Sequence, residues 1–207
     1  MHSILESGRG NTKFPVTLEI GAGNLEHYPF VLHERDEFIA TDIRECGLSP
    51  CLPESWGAEQ GSFVFIQADA MKLPFPDNYA DRIVAGCVLM HLPDPSLAVK
   101  EWQRVCKPSG VIDLLVPCDP GLLTRIFRRV ISEHAARKMG IPIETYRTVN
   151  AIEHINHFNR ALVLTKISIE PGRKFQVRYY PFKWIHSWNL NAFAVFSINP
   201  AMREGKP

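Results

Sequence analysis

The sequence predicts an α/β fold: a parallel sheet that finishes in an antiparallel pair. Three observations carry this. The stretch VTLEIGAGNL at residues 16–25 is a short apolar run ending in a glycine-rich turn. Strand-like and helix-like segments then alternate to about residue 139, the signature of strands joined by helical crossovers. Finally, residues 174–183 (KFQVRYYPFK) and 191–198 (NAFAVFSI) read as two strands with no helix between them.

Taken in order, the polar residues 1–13 read as a frayed remnant of a helix preceding the first strand. Val16, Leu18 and Ile20 give that strand its buried, β-prone character. Gly21, Ala22 and Gly23 form a tight bend that admits positive φ and close backbone approach. Leu25, Tyr28, Val31 and Leu32 then have helical spacing, which predicts a helix to about Glu34 and a platform for a nucleotide-like ligand. Residues 37–42 (EFIATD) form a second strand ending on a carboxylate. Residues 44–61, rich in Gly and Pro, read as loop with at most one helical turn. Residues 62–68 are a third strand, closed by Asp69, and 73–79 (LPFPDNY) are turn-rich.

Residues 82–87 (RIVAGC) are the fourth strand. Pro95 and Ser96 start a helix through Cys106, stopped by Lys107-Pro108-Ser109-Gly110. Residues 111–116 are the fifth strand. Residues 121–139 predict a helix with Leu122, Ile126 and Val130 inward and Arg125, Arg128 and Arg129 outward. Another helix is expected at about 149–164.

With 207 residues and 45% hydrophobic content, the chain can bury one substantial core, and a single domain is expected over 1–207. Net charge is +1, which gives no global signal for nucleic acid or an acidic partner. The five cysteines lack any CxxC pair, arguing for free thiols in a reducing compartment and against a zinc site. The N-terminus is too polar for a signal peptide, and the apolar stretch around 83–92 is too short to span a bilayer. These features read as a cytoplasmic protein without an integral membrane segment.

The chemistry gathers where strands end. Glu19-x-Gly21-x-Gly23 lacks the third glycine of a dinucleotide fingerprint, since Glu26 stands there. A carboxylate before the turn would repel a pyrophosphate and suits a cationic ligand. Asp42, 19 residues after Gly23, stands where an acid in a doubly wound fold accepts ribose hydroxyls; capping the following turn is its plainer role. Asp69-Ala70 follows the third strand, where an acceptor can take an adenine amine; alone it would be a turn-forming Asp. Three such signals at successive strand ends predict a cleft at the carboxyl edge.

The stretches TLEIGAG, ATDI, QADAMKLPFPDNYADRIVAGCVLMHLPDP and EWQRVCKPSGVIDLLVP resemble, in order and spacing, the motifs of class I S-adenosylmethionine (SAM)-dependent methyltransferases, over about residues 16–118. The resemblance implies a Rossmann-like, seven-stranded, mostly parallel sheet with a C-terminal antiparallel hairpin and helices on both faces. It implies SAM as cofactor and S-adenosylhomocysteine as product. By position, Glu19, Gly21, Ala22 and Gly23 would line the methionine and ribose, and Asp42 would hold the ribose hydroxyls. Ile43 would lie against the adenine, Asp69 and Ala70 at its edge, and Cys87 beside the transferable methyl. Two positions depart from the pattern: Leu25 replaces the usual glycine, and Pro108-Ser109-Gly110 replaces Pro-Gly-Gly. The second half, 119–207, would form the acceptor side. Its VPCDPGLL, EHINHF and RYYPF stretches look more loosely like small bacterial methyltransferases of saccharide biosynthesis, so the expected acceptor is a small molecule or saccharide precursor.

Methyl transfer to a hydroxyl needs a base, for which histidine is suited. His91 and His154 are the candidates; backbone bonding at a helix start and a solvated helix face are their plainer roles. His154 and His157 lack further ligands for a metal, so none is expected. The arginine run of the long helix reads either as a solvated face or as a site for an anionic sugar nucleotide or lipid headgroup. Tyr179, Tyr180, Phe182, Trp184 and Trp188 read as core, homodimer or acceptor contacts. A SAM-binding module without activity and a nucleotide-dependent oxidoreductase are the rival functions.

Overall fold

The structure, a computed structural model, describes residues 2–45 and 62–200. Seven strands form one sheet in the order β3-β2-β1-β4-β5-β7-β6. They are β1 (Val16–Ile20), β2 (Glu37–Asp42), β3 (Ser62–Gln67), β4 (Ala80–Gly86), β5 (Cys106–Pro117), β6 (Arg173–Tyr180) and β7 (Phe193–Pro200). The first five pair in parallel, and β7 lies antiparallel between β5 and β6. The predicted antiparallel pair is therefore present. The strand order reverses beside β1, so the ends of β1 and β4 open the crevice characteristic of doubly wound sheets.

Alternation along the strands builds two different faces. On one face Leu18, Ile20, Ile83, Ile112 and Leu114 meet α1 (Pro95–Val105) and α5 (Phe158–Ile167) through Val99, Trp102 and Phe158. The buried Trp102 indole donates to the Ala70 carbonyl at 2.8 Å, fixing the loop after β3. Helix α1 begins where Pro95 is pre-set for a first turn and the Asp94 carboxylate accepts the Ser96 and Leu97 amides. Its N-cap is Asp94, not His91.

The opposite face carries Glu19, Arg82 and Asp113, all buried, at alternate positions of β1, β4 and β5. Residues 2–9 cover it and are not a frayed end. Leu5 packs with Val84, Leu115 and Val195, while the Glu6 carboxylate receives Arg82 at 2.8 Å and contacts His27 and His33. Arg9 makes a two-pronged pair with Asp113 at 2.9 Å. Burial alone would raise the Glu6 pKa, but bonding to His27 and His33 and the Arg82 charge hold it well below the usual carboxylate range.

The expected helix after the glycine turn is absent. Gly21, Gly23 and Leu25 all have positive φ (66°, 53° and 61°), which a right-handed helix cannot accommodate. Only a 3-10 turn, Tyr28–Phe30, forms. The helical spacing of Leu25, Tyr28 and Val31 instead reflects burial against Phe38 and Ala40.

The helix expected at 149–164 is two helices, α4 (Ile143–Glu153) and α5. Between them the buried Asn156 side chain donates to the Leu89 and Leu92 carbonyls, and its amide to Met90, pinning the chain out of helical geometry. The long helix at 121–139 forms as α2 (Leu122–Phe127), a π turn (Arg128–Ser132) and α3 (Glu133–Lys138). Its predicted inward residues, Leu122, Ile126 and Val130, are exposed. Most of the loop expected at 44–61, with Cys46 and Cys51, lies outside the described residues.

Candidate active site

A cavity of about 790 Å³ opens at the carboxyl ends of β1 to β4. Of the residues singled out in the sequence, Gly21, Asp42, Ile43, Asp69, Ala70 and Cys87 line it, joined by His91. Topology explains the convergence: each stands at or just past a strand end, and parallel strands bring those ends together.

Asp42 sits at the cavity wall and also organises it. One carboxylate oxygen accepts the Gly23 amide at 2.9 Å, the other the Arg44 amide at 3.0 Å. Burial opposes ionisation here, yet these amides and the Arg44 guanidinium win and lower its pKa, so Asp42 is charged at neutral pH. The turn-capping role and a ligand-facing position therefore coexist, because each carboxylate oxygen has two lone pairs. Asp69 is similar: one oxygen accepts the Met71 amide at 2.8 Å while the residue lines the cavity.

Gly21 is required by its φ of 66° and by Val88, whose Cγ2 would collide with a Cβ placed there. At Gly86 a Cβ would meet nothing within 4 Å, so glycine there leaves cavity space open. Burial pushes the Cys87 thiol up to about 12, so it lines the cavity as a neutral group.

Glu19, Ala22 and Gly23 are not among the lining residues. Glu19 lies on the opposite side of β1, where it is 3% exposed. Burial, then the negative charges of Glu6 and Asp42, raise its pKa to about 8 against the opposing effect of Arg82. The raised pKa favours the protonated, neutral carboxyl near pH 7.

A second cavity, about 750 Å³, lies past the carboxyl ends of β5 and β6 and the amino end of β7. Pro117, Phe127, Ile131, Tyr180 and Phe193 give it mostly apolar walls, with Tyr146, Asn150 and His154 from α4 and its C-terminal end. The same segment reaches the first cavity through Ile152 and Ile155. His91 of the first cavity and His154 of the second have ring centroids 5.0 Å apart. The two sequence-picked histidines are thus neighbours between the two spaces. Among the described residues no group of three or more His, Cys, Asp or Glu side chains is placed to hold a metal.

Arg44, Met71, Val88, Ile152 and Ile155 also line the first cavity and were not singled out in the sequence. Val88 follows a strand end, a position that could have been flagged. Ile152 lies on α4 and Ile155 between α4 and α5, so neither stands at a strand end that would have marked it.

In sheet order and in the cavity at its strand ends the chain resembles methyltransferase domains. Residues 18–113 match the methyltransferase-domain family model. A ubiquinone/menaquinone biosynthesis C-methyltransferase, UbiE, of Coxiella burnetii is 45% identical over 67 residues, 31% of this chain and 27% of the relative. The match thus spans about a quarter of that relative's length. Two solved structures share the fold. One, a putative SAM-dependent methyltransferase of Methanococcus maripaludis, has a TM-score of 0.62 at 18% identity, covering 99% of this chain and 87% of the other. The other, a SAM-dependent methyltransferase and possible histamine N-methyltransferase of Thermotoga maritima, has a TM-score of 0.59 at 14% identity, covering 96% and 86%.

Proposed function

We propose that this chain transfers a methyl group from SAM to an apolar, ring-bearing small molecule held in the second cavity. The observation that carries the reading is the meeting of two cavities at His91 and His154, one edged by carboxylates and glycines and the other mostly apolar.

The residues of the first cavity suit SAM. Its volume fits a nucleoside-sized ligand. Charged Asp42 keeps lone pairs for ribose hydroxyls, and Asp69 has an oxygen beyond the one held by Met71 for an exocyclic amine. Ile43, Ala70 and Leu92 supply apolar surface for a flat base. When bound, SAM supplies a methyl on a sulfonium, which departs as a neutral thioether.

The protein's work is then to align the acceptor, exclude water and remove a proton where the acceptor is a hydroxyl. The α4 segment serves alignment by contributing to both cavities. His91 and His154 stand where an acceptor proton would leave, and either can serve as base. An apolar acceptor agrees with the walls built from Pro117, Phe127, Ile131 and Phe193, and with the relative named for quinone biosynthesis. A saccharide precursor fits these walls less well: Arg128, Ser132, Asn150 and His154 could meet some of its hydroxyls, but each one left buried without a partner would cost about 1–3 kcal/mol.

The test incubates the protein and SAM with a panel of phenols, quinols and sugars, and reads methylated product by mass spectrometry. Product from the ring compounds is expected. Replacing His91 and His154 together should lower turnover on a hydroxyl acceptor by about 10²–10⁴ with SAM affinity retained. Replacing Tyr146 and His154 together should weaken acceptor binding and leave SAM binding in place. Loss of SAM binding with acceptor binding intact would reverse the assignment of the two cavities, and SAM binding without any transfer would favour a non-catalytic module.

A further inference from the structure

The long helix was expected to bury Leu122, Ile126 and Val130, yet these are 47%, 49% and 64% exposed. Ile131 and Met139 are exposed as well, so α2, the π turn and the end of α3 present several apolar side chains to solvent. The loop after β6 adjoins them: the Leu122 amide donates to the Asn189 side chain, and Pro181 lines the same cavity as Phe127 and Ile131. That loop carries Trp184 at 78% exposure and Leu190 at 43%.

Charge is distributed unevenly around this surface. Residues 122–142 contain five Arg or Lys and a single acid, Glu133, in a chain whose net charge is +1. Glu133 is taken up by Arg147 and Arg128 by Asp119. Arg125, Arg129, Arg137 and Lys138 are exposed and make no ion pair among the described residues. Residues 181–190 add Lys183 and no acid.

We propose that this face, α2 to α3 with the 181–190 loop, docks on a bilayer surface containing anionic lipid. Exposed aliphatic side chains and an interfacial Trp would enter the headgroup boundary, and the arginines and lysine would meet lipid phosphates. A second copy of the chain fits this surface less well, because a two-fold contact would bring the same unpaired cations face to face. No helix among the described residues is long and apolar enough to cross a membrane, so the contact is peripheral. The surface borders the second cavity through Phe127, Ile131 and Pro181, but vesicle binding does not depend on which acceptor that cavity holds.

The experiment is flotation of the full chain with phosphatidylcholine vesicles, with and without 30% phosphatidylglycerol, at low and high salt. Binding is expected to the anionic vesicles, at least tenfold stronger than to the neutral ones, and to fall as salt rises. Two variants separate the contributions: Arg129→Glu with Arg137→Glu removes the charge match, and Val130→Ser with Met139→Ser removes apolar insertion. Each should lower vesicle binding at least tenfold while circular dichroism stays unchanged. Three outcomes would overturn the proposal: no vesicle binding by the folded protein, equal binding to neutral and anionic vesicles, or self-association abolished by Val130→Ser in a protein that ignores vesicles.

Discussion

Replacing Glu19 by Gln keeps the side chain's shape and removes its titration. The folded chain holds the Glu19 proton to about pH 8, against an ordinary value of 4.5. Between these values the folded state keeps a proton that the unfolded state releases, so the wild-type chain loses stability as pH rises. At roughly 1.36 kcal/mol per pKa unit, this amounts to about 3 kcal/mol between pH 4.5 and 7, and more by pH 8. Glu19→Gln should abolish this contribution. Urea denaturation of both proteins at pH 5, 6, 7 and 8 should give a difference that grows in favour of the variant with pH. A pH-independent difference would mean that Glu19 is charged in the fold or reached by water. Cofactor affinity provides a second readout: with Glu19 on the far side of β1, SAM binding should change less than about threefold. A larger loss would restore the cofactor-lining role expected from the sequence.

Two further substitutions probe the framework. Gly21→Ala forces a left-handed conformation on a residue with a Cβ, aimed at Val88, and should cost about 1–3 kcal/mol in denaturant unfolding. Adding Val88→Ala should recover part of that loss, and strict additivity would mean the predicted clash is absent. Asn156→Ala leaves the buried Leu89 carbonyl and the part-buried Leu92 carbonyl without their donor and should cost about 1–3 kcal/mol, with increased amide exchange across 154–157. A loss under about 0.5 kcal/mol would show that Asn156 does not pin this bend.

Much of the fold was legible because its signals are local. Val16, Leu18 and Ile20 read as a strand, and the 174–198 stretch read as a strand pair without a helix. Gly21, Asp42, Asp69 and Cys87 converged because parallel strands place their ends side by side. The failures share a cause, in that helical spacing reports burial and exposure only indirectly. Leu25, Tyr28 and Val31 have the spacing, but the positive φ at Leu25 comes from the turn and the packing around it. Leu122, Ile126 and Val130 have it too, and the helix forms, but nothing in the spacing says which way the stripe faces. Glu6 was the least legible. An acid in a polar leader signals nothing until the buried Arg82, 76 residues later, is seen to need it. The alternate charges Glu19, Arg82 and Asp113 within apolar strands were the available clue to a polar inner face.

By our proposal the carboxyl ends of β1 to β4 form a SAM site with Asp42 at its edge. Isothermal calorimetry of SAM and S-adenosylhomocysteine with the wild-type chain and with Asp42→Ala tests it most directly. Both ligands should bind the wild-type chain. The variant should remain folded and bind SAM more weakly by roughly 1.5–3 kcal/mol, the range for hydrogen bonds to a charged group. No binding to the wild-type chain, or unchanged affinity in a folded Asp42→Ala, would contradict it.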